Sequence, residues 1–252
     1  MVGTLLVRGM LVGIVAGLLS FGFLKVFGEP QVDRTIAFET QLDEARAEAG
    51  KAKGMKMSDE DEPELVSRPA QAGIGLFVAV IVYSTAFGGL FGLAFAFAYG
   101  RVPGMLTPQG VAALLAATGF IAIYLVPNLK YPANPPSVGE PETIGMRTAL
   151  YFIMIAISLA AIVGSTAPKR LFVPRFGEWN AILLISASYI VLVVVAGFLL
   201  PTINEVPDQF PAVVLWKFRV ASVGAQFIMW AAMGLLCGAL NQESFSGSRQ
   251  RT

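Results

Sequence analysis

Six long runs of apolar residues constrain this chain more than any other feature of its sequence. We predict membrane-spanning segments at roughly 4–27, 72–99, 109–127, 148–165, 180–200 and 218–240. Each run is long enough for a helix to cross a hydrocarbon core about 30 Å thick, which takes roughly 20 residues. The runs do not alternate in polarity, as the strands of a membrane β-barrel would. The predicted fold class is all-α, a polytopic transmembrane helical bundle.

The composition agrees with an integral membrane protein. Of the 252 residues, 55% are apolar and only 14% are charged, and the mean hydropathy is +0.67. A soluble domain of this length needs more charge to cover its surface. We therefore predict a single transmembrane domain over residues 1–252, with an acidic extramembrane loop at 29–68 inserted between the first and second spans.

The chain lacks the residues that several classes of function require. The chain has no histidine and one cysteine, Cys237, which lies in the last apolar run. The commonest metal ligand and general base are therefore absent, and no disulfide can form within the chain. There is no HExxH pair, no glycine-rich phosphate loop and no basic patch for nucleic acid, since the net charge is +1. The prediction is a protein that is not an enzyme and has no organic cofactor and no nucleic-acid partner.

The carboxylates are concentrated in three of the gaps between the apolar runs. With six spans the gaps alternate sides, which places 29–68, 128–147 and 201–217 on one face. Eleven of the 17 acidic residues lie in the first of these gaps and two lie in each of the others, which leaves only Glu178 and Glu243 on the opposite side. A negative surface at a membrane boundary concentrates cations there. This distribution predicts a cation-collecting face.

The basic residues indicate the orientation. A short gap on the opposite face contains Lys169, Arg170 and Arg175, and the C-terminal tail contains Arg249 and Arg251. By the positive-inside tendency, this places that face and both termini in the cytoplasm. The six basic residues of the 29–68 segment argue the other way, but charges in short gaps weigh more heavily.

The three acidic gaps are also rich in proline, and "GEP" occurs in two of them, at 28–30 and 139–141. Prolines stop helices and fix backbone angles, which predicts rigid loops. Rigid loops with carboxylate and amide oxygens suit a divalent cation. The predicted metal-binding residues are Glu29, Asp33, Asp59, Glu60, Asp61, Glu62, Glu140, Glu142, Glu205 and Asp208.

A structural alternative exists for these acids and for the glycines of the spans. Glu140 or Glu205 could cap a helix or pair with Arg147 or Arg219, and the acidic run at 59–62 could be a solvated linker. Glycines recur every four residues, which indicates either close helix packing or helices thinned along a conduction path. These glycines are Gly9, Gly13, Gly17, Gly88, Gly92, Gly234 and Gly238.

Four segments resemble a known family. They are "LLVRGMLVGIVAGLLSFGFLKVFGEPQVDRTIAFE", "ELVSRPAQAGIGL", "YPANPPSVGEPETIGMRTALYF" and "NEVPDQFPAVVLWKFRVASVGAQFIMWAAMGLLCGAL", and they are similar to CbtA, a family of predicted cobalt-transporter subunits. The resemblance implies a multi-pass protein of the bacterial inner membrane that takes up cobalt ion for cobalamin. It also implies a small single-span CbtB-like partner with a histidine-rich tail. Members are usually described with five spans, against the six counted here.

One departure from the family bears on the metal. Relatives commonly carry histidines before "ELVSR", where this chain has "MKMSDEDEPELVSR". Borderline metals prefer nitrogen donors over carboxylates, so capture would rest on residues 59–62, on Met55 and Met57, or on the histidines of the partner. The predicted function is a divalent-cation (cobalt) transporter subunit with the lipid bilayer and the cation as partners. The alternative is a non-transporting structural or assembly subunit of a larger membrane complex.

Overall fold

The computed structural model describes residues 2–52, 66–99, 101, 106–136, 138–139 and 141–249, and the regular secondary structure in these ranges is helical. Within these ranges, six helical segments are long and apolar enough to cross a membrane. They are Val2–Ala45, Arg68–Ala98, Pro108–Lys130, Glu142–Thr166, Lys169–Leu199 and Ala212–Gln242, which we call the first to sixth spans. The polar part of the first segment, from Glu29 onward, belongs to the 29–68 gap and is still called by that name. The predicted all-α transmembrane fold is therefore confirmed, with six spans.

Three of the spans are composite helices that contain a π-helical turn. The helices are α1 (Val2–Phe23), α2 (Glu29–Ala52), α3 (Arg68–Ala70), α4 (Leu76–Ala98), α5 (Pro108–Gly119), α6 (Val126–Lys130), α7 (Pro141–Thr166), α8 (Lys169–Leu199) and α9 (Ala212–Arg249). The π-helical turns are Leu24–Gly28, Gln71–Gly75 and Phe120–Leu125, and they join α1 to α2, α3 to α4 and α5 to α6.

The prediction that prolines stop the helices is wrong at Pro30 and Pro127. Both residues are helical, and each lies two residues after a π-helical turn. In the first turn the N–H of Glu29 donates to the carbonyl of Leu24, five residues back. We attribute the continuity to this wider turn, since it changes the hydrogen-bond register just before a residue that has no N–H to donate. The first helix therefore continues past "GEP" into the polar segment as far as Ala52.

The residue contacts divide the chain into two compact units. The first unit comprises Met1–Ala117, Asn134–Val138 and Val206–Thr252, and within it α1 packs along α4 and α9. A Cβ atom on Gly9 would overlap with the carbonyl of Gly88, so the two backbones are in direct contact. This geometry agrees with the close-packing interpretation of the glycines.

A partly buried chain of hydrogen bonds links the start of α1 to the C-terminal part of α9 in the same unit. Arg8 Nη1 donates to Asn241 Oδ1 at 3.3 Å, and Asn241 Nδ2 donates to the carbonyl oxygen of Cys237 at 2.8 Å. Cys237 is 2% exposed. It is therefore a packed interior residue.

The second unit comprises Thr118–Ala133 and Gly139–Glu205. Its main apolar cluster comes from α6, the residue after it, α7 and α8, and contains Val126, Tyr131, Leu150, Met154, Ala161 and Val193. Ser158 and Tyr189 join α7 to α8 through a hydrogen bond of 2.8 Å between their hydroxyl groups. Helix α8 is interrupted at Gly177, whose φ of 79° is left-handed. The prediction of a single domain stays a prediction.

Candidate functional site

Two of the predicted metal-binding residues converge on one arginine at the start of the second span. Glu29 and Asp33 are four residues apart on α2 and so lie on one helix face. Arg68 Nη2 lies 2.6 Å from Glu29 Oε2 and 2.8 Å from Asp33 Oδ1, and Arg68 Nε donates to Asp33 Oδ1 at 3.1 Å. The two carboxylates therefore share a single guanidinium nitrogen. We call these three residues the Arg68 cluster.

The three side chains of the Arg68 cluster differ in solvent exposure. The side chain of Glu29 is 12% exposed, that of Arg68 is 25% exposed and that of Asp33 is 63% exposed. Nearby, Lys25 Nζ donates to the carbonyl of Ala72 at 3.0 Å, which further ties the first span to the second. The cluster thus has one carboxylate that is exposed to water, that of Asp33, and a second that is mostly buried, that of Glu29.

A second cluster forms around Glu205 in the second unit. The side chain of Glu205 is 2% exposed and lies 2.6 Å from Arg147 Nη1 through its Oε2 atom. The Thr143 hydroxyl donates to Glu205 Oε1, and Arg147 Nη2 donates to the carbonyl of Pro132 at 2.8 Å. Thr143 and Arg147 are four residues apart on α7, so one helix face supplies both donors. We call Glu205, Arg147 and Thr143 the Glu205 cluster.

Gly139 of the second "GEP" lies directly against this cluster. Its φ of +151° is one that side-chain-bearing residues rarely adopt, and a Cβ atom there would lie 3.3 Å from Glu205 Oε2. A glycine at this position lets the backbone approach the carboxylate closely. The "GEP" motif therefore contributes to the cluster through its glycine.

A cavity of about 340 Å³ adjoins the Glu205 cluster. Its polar lining includes Asn128, Tyr131 and Arg147. The hydroxyl of Tyr131 donates to the carbonyl of Pro201 at 2.8 Å, and burial raises the pKa of Tyr131 above its ordinary value. Tyr131 therefore stays protonated, and a hydrogen-bond donor, at neutral pH.

A third arginine follows the same pattern in the first unit. Arg219 Nη2 donates to Asn134 Oδ1 at 3.0 Å, and Asn134 belongs to the second acidic gap. Arginines near the starts of the second, fourth and sixth spans, Arg68, Arg147 and Arg219, thus each bind a side-chain oxygen from one of the acidic gaps. The sequence had suggested a pairing role for Arg147 and Arg219, but it gave no such signal for Arg68.

Within the first unit, the acidic gaps contact one another or the helix that follows them. The rings of Phe38, from the first gap, and Phe210, from the third, meet edge to face at 5.4 Å between centroids. The bond between Asn134 and Arg219 joins the second gap to the helix that follows the third. Residues from all three gaps therefore take part in the packing of this unit.

The structure places the predicted metal-binding residues in different surroundings. The structure brings Glu29 and Asp33 together and places Glu205 against Arg147, whereas Glu142 and Asp208 are exposed. Residues 59–62 and Glu140 lie outside the described residues, as do Met55 and Met57. In the part of the chain that the structure describes, no three His, Cys, Asp or Glu side chains form a group that could hold a metal ion. The metal-site assignment stays a prediction.

One known protein family matches nearly the whole chain. A family model described as "Probable cobalt transporter subunit (CbtA)" matches residues 2–242. This range contains all six spans and both clusters. No curated protein and no solved structure matches the chain significantly.

Proposed function

The chain belongs to the CbtA family of probable cobalt transporter subunits, and from that premise we propose that it collects divalent cobalt at an acidic face. The cation then passes through the helix bundle. With both termini in the cytoplasm, the three acidic gaps face outward, where uptake begins. Within the first unit, residues of the first and third gaps pack against each other, and the second gap is bonded to the helix that follows the third, which supports a common face.

The observation that carries this proposal is the convergence of Glu29 and Asp33 on Nη2 of Arg68. The two bonded oxygens are each within hydrogen-bond distance of the same nitrogen, so they are close enough for small side-chain movements to bring them onto one cation. A guanidinium group neutralises only one of the two carboxylates. A divalent cation would neutralise both, and it prefers the oxygen ligands that they supply.

The exposure of the side chains in the Arg68 cluster determines which of them contacts an incoming cation first. Asp33 is the most exposed of the three side chains and meets a hydrated cation first, and Glu29 then supplies a second oxygen. Arg68 is partly exposed, so its long side chain can release the carboxylates and extend into water. Arg68 thus holds the empty site together and gives way to the cation.

The metal preference is expected to come from outside this chain. Carboxylate oxygens bind cobalt more tightly than manganese by the general affinity order, but they offer no nitrogen donor. With no histidine in the sequence, we propose that a histidine-bearing CbtB-like subunit in the bacterial inner membrane supplies the selective ligands. The acidic face then raises the local cation concentration.

Cobalt flux into proteoliposomes tests the proposal. We expect cobalt entry with the wild-type chain and the partner subunit, and at least a tenfold slower entry at low cobalt when Glu29→Gln and Asp33→Asn are combined. Glu39→Gln is the matched control, because Glu39 is an exposed acid on the same helix outside the cluster. Equal entry for the double variant and the wild type would remove the assignment of this site.

A non-transporting assembly subunit is the second candidate. It is favoured by the ion pairs themselves, because Arg68 and Arg147 already satisfy Glu29, Asp33 and Glu205 as structural links would. This role predicts no cobalt entry with any wild-type preparation and co-purification with a larger membrane assembly.

A further inference from the structure

An apolar groove of about 400 Å³ runs along the second unit between α6, α7 and α8. Its floor contains Val126, Met154 and Val193, which are 9%, 2% and 9% exposed. Its rim contains Leu129 and Phe198, which are 74% and 85% exposed. All of these residues belong to the third, fourth and fifth spans, and the high exposure of Leu129 and Phe198 leaves the rim of the groove open to whatever surrounds those spans.

One end of the groove is polar and carries a positive charge. Lys130 and Thr202 line it there, and Lys130 Nζ donates to Thr202 Oγ1 at 2.9 Å. Lys130 is the last residue of the third span, and Thr202 lies just beyond the end of the fifth span at Leu199. The ammonium group therefore lies near the boundary where lipid headgroups are found.

Among the described residues, no carboxylate forms an ion pair with this ammonium group. The described contacts of Lys130 are with the neutral Thr202 and with the ring of Tyr131, 5.8 Å away. Glu205, the buried acid of this unit, is already held by Arg147. A basic group at a helix end beside an apolar groove is suited to an anionic lipid headgroup with its acyl chain.

We propose that this groove is a binding site for an anionic phospholipid. One acyl chain lies along Val126, Met154 and Val193, and the phosphate accepts hydrogen bonds from Lys130 and Thr202. Gly197 also lines the groove, and a Cβ atom there would have nothing within 4 Å. A large side chain at this position would therefore fill the groove without displacing the backbone. The site is separate from the residues proposed to bind cobalt.

Native mass spectrometry of the full chain, purified in a mild detergent with added phosphatidylglycerol or phosphatidylcholine, tests this site. We expect wild-type protein to retain phosphatidylglycerol in preference to phosphatidylcholine. Lys130→Gln should weaken that retention roughly fivefold, the usual effect of one basic group near a lipid surface. Gly197→Leu should abolish retention of both lipids by filling the groove.

Two matched variants separate the site from general lipid adhesion. Gly164→Leu adds the same side chain at another helix position with open space around it, and Lys169→Gln removes an exposed lysine at the other end of α8. Both should retain lipid as the wild type does. Added inorganic phosphate should not displace the lipid, because it lacks the chain that fills the groove.

The proposal would be overturned by equal retention of the two lipids by the wild type, by unchanged retention by Gly197→Leu, or by displacement of the lipid by inorganic phosphate alone. If Gly197→Leu fails to fold, Lys130→Gln decides the question, since a lysine at the edge of the groove can be replaced without altering the core. Retention by Lys130→Gln that equals that of the wild type would also contradict the site.

Discussion

The Nη1 atom of Arg147 lies 2.6 Å from the Oε2 atom of Glu205, whose side chain is 2% exposed. The two residues are 58 positions apart in the sequence, and their ion pair fastens the start of α7 to the segment that precedes α9. Because the carboxylate is almost fully removed from water, loss of this partner would leave a buried charge uncompensated.

We expect Arg147→Ala to destabilise the protein by about 3 kcal/mol, since removing one partner leaves a buried charge uncompensated. Chemical unfolding in detergent micelles would measure the change. Arg175→Ala is the control, because Arg175 is exposed and its described contact is with the ring of Phe176, and its effect should stay within about 0.5 kcal/mol. Equal stabilities of the two variants would show that the ion pair contributes nothing.

The close packing of α1 against α4 should make this interface sensitive to the addition of a single methyl group. A Cβ atom on Gly88 would overlap with the carbonyl of Gly9, whereas one on Gly22 would have nothing within 4 Å. Gly88→Ala should therefore cost about 1–3 kcal/mol by overpacking, and Gly22→Ala should leave stability unchanged or raised, since alanine favours a helix. Thermal unfolding of both variants checks this, and a tolerated Gly88→Ala would contradict the close backbone contact.

The sidedness of the acidic gaps can be tested with cysteine labelling. Cys237 is 2% exposed, so the native chain should react little with a membrane-impermeant maleimide. Glu39→Cys and Gln209→Cys place exposed thiols in the first and third gaps, and Arg170→Cys places one in a gap on the opposite face. We expect the first two to be labelled from one side of the membrane and the third only from the other. Labelling of positions 39 and 209 from opposite sides would rule out a common acidic face.

The six spans could be predicted from the sequence because the bilayer imposes a minimum length of apolar helix. The close packing of α1 and α4 could also be anticipated, since glycines four residues apart lie on one helix face. These are local patterns, and each is read within a single run of residues. The helices of the structure differ from the predicted spans more at their ends than at their centres.

The helix ends and the arginine partners could not be predicted in the same way. Continuation through Pro30 depends on the π-helical turn at Leu24–Gly28, a local adjustment that the rule for proline does not anticipate. The pairing of Arg68 with Glu29 and Asp33 joins residues 39 and 35 positions apart, so it depends on how the first and second spans pack. The sequence alone does not show which basic side chain each acid will meet, because these partners follow from tertiary contacts.

We propose that Arg68 occupies the place of a cation between Glu29 and Asp33, and equilibrium cobalt binding by the purified protein tests this most directly. Arg68→Gln should bind cobalt roughly fivefold more tightly than the wild type, because a partly exposed ion pair of about 1 kcal/mol no longer competes. Arg101→Gln, which removes an exposed arginine bound to the carbonyl of Phe97, should bind as the wild type does. The combination of Glu29→Gln and Asp33→Asn should bind at least tenfold more weakly. Unchanged or weaker cobalt binding by Arg68→Gln, together with unchanged binding by the double variant, would contradict the account.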